Sequence, residues 1–373
     1  MINKSEKSQK KNLIFLLPVF SQGGAGLSIL KLCKSIIHKN FNIYIISLGK
    51  NYYKREFNDL NFSVVEIPYK RFILSIFYIK KIIKKIIKKN KIDTFLISNM
   101  NYANALSCFF FRKIYLLKII TIERTPIQEL DFNLKIYNFL KIYILKYLIK
   151  YFYVYAFKRI GNSSPVSRDL EIFCKNKVNT ILPFIKITKK NYIKFKKKKT
   201  TLLWIGRISP EKNIGDLLHS IKFLKKIDYQ LNVVCDKKIE FKKYGINKNQ
   251  RKKINIFKFD KINLNKIYLN SDILISTSHY EGFPNVIAEA INYNCLVISA
   301  KNFGGSNQLI KNGKYGVNYK LNNSKDLANK IIKSIKNKEI LKKKIKSSKK
   351  NLIYLSKIHN DAYKKMFKRL ERN

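Results

Sequence analysis

The chain has 373 residues, 46% of them apolar, with 13 glycines and 7 prolines, which excludes a disordered or low-complexity polymer and leaves room for two cores, since domains customarily run to about 100–150 residues. It carries 77 Lys and Arg against 23 Asp and Glu, a formal charge of +54, and a balance of that size favours anionic company: nucleic acid, an acidic lipid surface or phosphorylated metabolites. The joint excess of Lys, Asn, Ile, Tyr and Phe reads as a chain-wide bias rather than one binding surface, so charge alone does not choose among these. Cysteines 33, 108, 174, 235 and 295 form no CxxC pattern and have no His cluster beside them; they read as reduced structural thiols of a cytosolic protein, with no zinc site.

Residues 1–12 are a polar N-terminal extension. The apolar run that follows leads through SQGGAG straight into the helical pattern LSILKLC, which suits a buried strand and a turn better than a secretory signal. The spacing predicts strands at Leu13–Leu17, Ile43–Leu48, Ser63–Ile67, Thr94–Ile97, Leu116–Thr121 and Ile160–Asn162, with helices near 27–38, 72–89 and 101–110. Strands separated by such helices indicate crossovers and a parallel sheet covered on both faces. In 76–89, isoleucines 79, 82, 83, 86 and 87 share one face and Lys81, Lys84, Lys85 and Lys88 lie elsewhere, the pattern of a surface helix or of an interfacial one. The aromatic stretch 132–158 reads as one long or two short helices, either a surface resting on anionic lipid or a buried hairpin. No stretch reaches eighteen uninterrupted apolar residues, so nothing demands a membrane span.

Residues 13–185 thus form an N-terminal domain, and 186–199 a basic linker. The pattern then restarts over 200–345, with strands at Thr201–Ile205, Leu231–Val234, Ile254–Phe259, Asp272–Ser276 and Leu296–Ser299 and helices near 214–226, 264–270, 285–293, 305–311 and 325–337. Residues 346–373 complete a C-terminal helix. Ligands of open parallel sheets sit beyond the carboxyl ends of the strands, and the loops there carry the chemistry.

After the first strand, Gly23 and Gly24 allow close backbone approach of an anion to a helix start. The loop is neither GxGxxG nor a GK[ST] phosphate loop, so a nicotinamide or ATP site is poorly supported. In WIGRISPEKN, Arg207 and Lys212 follow a strand and precede a helix; a forked guanidinium and a mobile ammonium can together neutralise a diphosphate, including the charge that develops as it leaves. In SHYEGFPNVIAEA, Glu281 lies in a loop and Glu289 on the following helix. One carboxylate can hold sugar hydroxyls and the other a ribose diol. His38 and His219 read as surface residues, and His279 is not taken as catalytic.

GRISPEKN, EGFPNVIAEA with its two glutamates eight positions apart, and FGGSNQLIKNGKYG together resemble retaining glycosyltransferase family 4. The resemblance covers nearly all the chain and is most specific from 200 to 320. It implies the α/β GT-B fold, two Rossmann-like parallel-sheet domains facing across a cleft, with the last helix crossing back toward the N-terminal domain. It also implies that Arg207 and Lys212 bind the donor diphosphate, Glu289 the ribose hydroxyls and Glu281 the transferred sugar. The backbone amides of Phe283, Asn285 and Val286 would lie near sugar or phosphate, and Gly23 and Gly24 would face the diphosphate. The chain departs from the family in having Gly26 and Gln308 where glutamates are common, and Glu123 and Arg124 of TIERTP where many members have a sugar-contacting His; those two are expected to contact sugar or acceptor.

The reading that follows is retaining transfer, by a hexosyl- or N-acetylhexosaminyltransferase, from a nucleotide diphosphate sugar, a UDP-sugar by preference. The acceptor is a hydroxyl of a polyprenyl diphosphate-linked saccharide in surface polysaccharide or lipopolysaccharide synthesis. No metal is expected, because two cations replace one, and no other cofactor. The protein is expected to be cytoplasmic and peripheral at the anionic inner face of the membrane. The alternatives are a soluble acceptor, or a non-enzymatic nucleic-acid-binding protein, for which no recognisable module is present and no specific nucleic acid is expected.

Overall fold

A computed structural model describes residues 10–20, 24–34, 41–68, 71–132, 139–188, 199–225, 227–259 and 263–372. The chain divides into two units: one takes residues up to Phe184 and from His359 on, the other Ile185–Ile358.

The first unit holds seven strands: β1 Lys11–Leu17, β2 Phe41–Leu48, β3 Ser63–Ile67, β4 Thr94–Asn99, β5 Leu117–Glu123, β6 Lys158–Gly161 and β7 Asn179–Thr180. They pair in the order β3-β2-β1-β4-β5-β6-β7, every pair parallel. The inner strands β1 and β2 read as largely apolar runs because both faces of the sheet are covered. Along β1, Ile14 and Leu16 enter one core and Leu13, Phe15 and Leu17 the other. The helices Phe72–Asn90, Asn101–Phe111 and Phe139–Phe152 fill the first core. Ile79 and Ile83 are fully buried there, while Lys81, Lys84, Lys85 and Lys88 on the same helix are exposed. Truncating Ile79 to Ala in such a core costs about 2–5 kcal/mol. On the opposite face lie the helix Gly24–Leu32 and the last turns of the final helix, through Tyr363, Met366, Phe367 and Leu370.

The second unit pairs β8 Thr200–Ile205, β9 Tyr229–Cys235, β10 Ile254–Lys258, β11 Ile273–Ser276, β13 Leu296–Ala300 and β15 Val317–Tyr319 in the order β10-β9-β8-β11-β13-β15, again all parallel. A separate ribbon joins β12 Tyr280–Glu281 to β14 Phe303–Gly304. In each sheet the order reverses beside the first strand, between β1 and β4 and between β8 and β11. Such switch points open a crevice at the carboxyl ends of the strands.

Several expectations shift. The strand at Ile160–Asn162 begins earlier, at Lys158, and β7 follows it. The stretch 132–158 resolves into the helix Phe139–Phe152, a 3₁₀ turn at Tyr153–Tyr155 and the start of β6, with 133–138 outside the described residues. The final helix runs unbroken from Lys338 to Arg372. Most of the basic linker, 189–198, lies outside the described residues, but Lys186 and Thr188 are tied to the Asn292 side chain, which donates to the Lys186 carbonyl and accepts from the Thr188 amide, both at 3.0 Å. All five cysteines are free and buried; burial raises the thiols of Cys33, Cys108, Cys174 and Cys235, which keeps them protonated and unreactive.

Candidate active site

Five of the sequence-chosen side chains, and the first turn of one helix, gather on loops at the switch point of the second sheet. β8 ends at Ile205, and Gly206 follows because a Cβ there would stand 2.9 Å from the Trp204 ring. The buried Trp204 indole donates to Thr277 Oγ1 at 3.0 Å, and the Thr277 hydroxyl donates to the Lys212 carbonyl at 2.6 Å. A strand end, the loop after β11 and the Lys212 backbone are thereby tied into one support. From it the Lys212 ammonium reaches Glu281 Oε1 at 2.6 Å, and Ser278 Oγ donates to the same oxygen at 2.7 Å. The side chains of this ion pair are largely withdrawn from solvent.

Arg207 is turned outward, its side chain 69% exposed, and pairs with Glu211 at 3.1 Å. Glu211 also belongs to the support, because its carbonyl accepts from the His279 amide at 2.9 Å. Burial lowers the imidazole pKa of His279, so at neutral pH that ring is predominantly uncharged.

Pro284 caps the helix Asn285–Asn292. Phe283 is buried, and Asn285 and Val286 open the first turn, where helix amides have no intrahelical partner and the dipole is positive. Glu289 lies about one turn along. Its Oε2 accepts from the Tyr268 hydroxyl at 2.9 Å, and the buried Tyr268 ring stacks on Tyr293 with centroids 5.6 Å apart. Sequence reasoning missed Tyr268 because it sits in a six-residue helix, Leu264–Leu269, with no motif around it.

Two glycines join the loops. At Gly304, φ is +130° and a Cβ would lie 1.8 Å from the Glu281 carbonyl oxygen; at Gly305 a Cβ would lie 2.4 Å from that of Gly282. The Gly305 amide donates to the Gly282 carbonyl at 3.0 Å, and Asn302 Nδ2 donates to the Ser278 carbonyl at 2.6 Å. The FGGSN motif therefore braces the backbone on either side of Glu281. Chemically, the second unit offers two cations, a helix start and two fixed carboxylates, a set suited to a diphosphate bearing polyhydroxyl groups at its two ends.

The first unit holds the remaining candidates. Gly23 lies outside the described residues, and Gly24 opens its helix exposed. Gly26 packs against Tyr53, whose ring would stand 3.0 Å from a Cβ, so the common glutamate has no room without a shift of that ring. Glu123, expected to contact sugar or acceptor, instead faces the interior with no exposed surface. Its Oε2 accepts from Tyr153 Oη at 2.8 Å and Asn104 Nδ2 at 3.4 Å, and burial pushes its carboxyl up to about 7. A glutamate closing a strand of a sheet covered on both faces can point into the core, and the sequence does not mark which side it takes. Arg124, the next residue, is partly exposed and donates from Nε and Nη2 to Asn99 Oδ1 at 3.2 and 2.9 Å.

Residues 186–351 match the family model described as glycosyl transferases group 1. The amylovoran biosynthesis glycosyltransferase AmsD of Erwinia amylovora is 32% identical over 134 residues, which are 34% of this chain and 37% of that protein; the match thus spans little more than a third of the curated relative's length. Among solved structures, a glycosyltransferase from Rickettsia africae ESF-5 superposes with a TM-score of 0.75 at 20% identity, covering 96% of this chain and 99% of that one. Anabaena HepE, solved with UDP and glucose, gives 0.74 at 15% identity, covering 97% and 99%. The fold is that of the GT-B glycosyltransferases.

Proposed function

We propose that this chain, whose residues 186–351 form a glycosyl transferases group 1 domain within a GT-B fold, moves a hexosyl or N-acetylhexosaminyl group from a nucleotide diphosphate sugar to an acceptor hydroxyl with retention of anomeric configuration. The observation that carries this is the Lys212–Glu281 pair at 2.6 Å, seated on the Trp204–Thr277 support. Lys212 takes the diphosphate and Glu281 the sugar, so the two ends of the bond to be broken are gripped by adjacent side chains. Arg207, exposed beside Lys212, closes on the second phosphate. As the anomeric bond to the diphosphate breaks, charge grows on the departing oxygen, and a fixed ammonium there stabilises the transition state more than the ground state. Glu289, aligned by Tyr268, accepts the ribose hydroxyls, and the amides of Asn285 and Val286 receive phosphate or sugar oxygens. UDP is the favoured nucleotide because HepE was solved with it. With two cations on the leaving group, transfer is expected to persist in EDTA.

The acceptor we favour is a polyprenyl diphosphate-linked saccharide of a surface polysaccharide or lipopolysaccharide, presented at an anionic inner-membrane face. AmsD, by its name, serves amylovoran synthesis. In the first unit, Phe77 is 77% exposed and Leu74, Phe139, Leu140 and Tyr143 are exposed as well. Their helices converge, as Phe72 packs edge-on against Tyr102 at 6.2 Å and Lys141 lies 5.4 Å from the same ring. Aromatic and aliphatic groups among lysines suit a bilayer surface rich in acidic lipid. No described helix is long and apolar enough to cross a membrane.

The test is to incubate the purified chain with UDP- and GDP-sugars and a lipid extract, and to identify the glycolipid and its anomeric configuration. A product of inverted configuration, or a sugar transferred only to a water-soluble acceptor, would replace the corresponding part of the reading.

A further inference from the structure

We propose that Thr121, Asn104 and Glu123 hold a buried water molecule between β5 and the helix Asn101–Phe111 of the first unit, and that this water donates to the Glu123 carboxyl. The site lies apart from the loops of the second unit and does not rest on the sugar-transfer reading.

The backbone brings the polar groups together. Side chains alternate along a strand; Ile119 of β5 enters one core and Ile120 and Ile122 the other, so Thr121 and Glu123 lie on the side of Ile119. Ser98 of β4 stands opposite Thr121 in register, and Ser107 of the overlying helix donates to Ser98 Oγ at 3.3 Å. Just before it on that helix, Asn104 donates from Nδ2 to Glu123 Oε2 at 3.4 Å and to the Ile122 carbonyl at 3.0 Å. None of these five polar side chains, on Ser98, Asn104, Ser107, Thr121 and Glu123, has exposed surface.

Three oxygens of this cluster, Thr121 Oγ1, Asn104 Oδ1 and Glu123 Oε1, have no hydrogen-bond partner among the described residues. A buried polar atom left unpaired carries its full desolvation cost, and protein interiors leave few of them. Three in one cluster point to a shared partner. The carboxylate and amide oxygens only accept, whereas the threonine hydroxyl also donates. A water molecule complements that set: it donates to Glu123 Oε1 and Asn104 Oδ1 and accepts from the Thr121 hydroxyl, the roughly three bonds that an internal water customarily makes.

A metal cation fits this set less well. It cannot accept the Thr121 proton, and the charge around Glu123 is already mixed. The Glu129 carboxylate opposes ionisation of Glu123 and the Arg124 guanidinium favours it, while the Tyr153 phenol and the Cys108 thiol, both raised by burial, are neutral at pH 7. The water also bears on Glu123 itself. Oε2 already accepts from Tyr153 and Asn104, and a donor on Oε1 stabilises the ionised carboxyl further, so losing the water should move its titration to higher pH.

Oxygen-17 relaxation dispersion of the full chain counts long-lived internal waters, and carbon-13 NMR of the glutamate carboxyls follows Glu123, assigned by its loss in Glu123→Gln. Thr121→Val removes the donating hydroxyl and Asn104→Leu one acceptor, so each should lower the dispersion amplitude by one water. Thr121→Val should also move the Glu123 titration about one pH unit higher, as loss of a hydrogen bond to a charged group does. Thr121→Ser keeps the hydroxyl and should change neither. Thermal melting checks that each variant is folded, and Asn104→Leu carries the test where Thr121→Val is not. An amplitude that the folded variants leave at the wild-type value overturns the site, and so does a Glu123 titration that stays in place when the water is lost. A wild-type melting temperature raised by sodium or potassium chloride over choline chloride, with Thr121→Val insensitive, puts a cation there and overturns the water.

Discussion

Lys212 and Glu281 meet at 2.6 Å, although one follows β8 and the other closes the ribbon strand β12. Glu281 thereby holds the cation in place, and on the proposed reading an incoming phosphate meets an ammonium already positioned for it. Replacing Lys212 with Ala should lower kcat/KM by about 100-fold or more, the scale of removing one donor to developing charge. Circular dichroism should remain that of the wild type. Steady-state transfer rates with Lys212→Ala and Lys212→Arg check this, the arginine variant retaining part of the activity.

On the proposed reading Glu289 and Tyr268 act on binding. A ribose contact is the same in ground and transition state, so Glu289→Gln should raise KM with kcat little changed. Tyr268→Phe removes one neutral-to-charged hydrogen bond and leaves the stacking on Tyr293; KM should rise by about two- to tenfold. A fall in kcat with constant KM in both variants would assign the pair to the chemical step instead.

Gly304 and Gly313 separate backbone strain from collision. Both have positive φ, but a Cβ at Gly304 meets a carbonyl oxygen at 1.8 Å whereas at Gly313 its nearest neighbours are at 3.5 Å. Gly313→Ala should cost only the strain of the left-handed region, about 1 kcal/mol, and Gly304→Ala on the order of 3 kcal/mol. Urea midpoints measure both. Gly304→Ala should also weaken nucleotide binding, because β14 braces the Glu281 backbone.

Glu123 sets a pH dependence whose sign follows from its burial. Its carboxyl is pushed up to about 7 from an ordinary value near 4.5, so the folded state holds a proton that the unfolded state has released between those values. Its contribution to stability is fully present below the unfolded pKa and is lost as pH rises through the folded one, by an amount on the order of 3 kcal/mol. Glu123→Gln keeps the shape and removes the titration. Relative to wild type it should gain stability between pH 5 and pH 8, as measured by chemical denaturation at each pH.

Much of this architecture was legible in the sequence because buried parallel strands are short apolar runs. Ser63–Ile67 matches its expectation residue for residue, and the loops that carry Lys212 and Glu281 follow β8 and β11, whose ends at Ile205 and Ser276 are those the sequence predicts. What escaped lacked periodicity: β7, β12 and β14 are two residues long. The helix Ser164–Cys174 was missed despite a usable signal, for Ser163 accepts from the Val166 amide and Pro165 sits in the first turn. At the site, glutamates in a chain poor in acids were easy to notice, but not which way each points. Glu281 and Glu289 meet partners 69 and 21 residues away, and Glu123 is turned inward by Tyr153, thirty residues on.

The most direct measurement is calorimetric titration of UDP and GDP into the full chain and into Lys212→Ala and Glu289→Gln. The account predicts one nucleotide bound per chain, with affinity reduced about tenfold or more in both variants. Absence of binding to the wild type, or equal affinity in all three proteins, would contradict it.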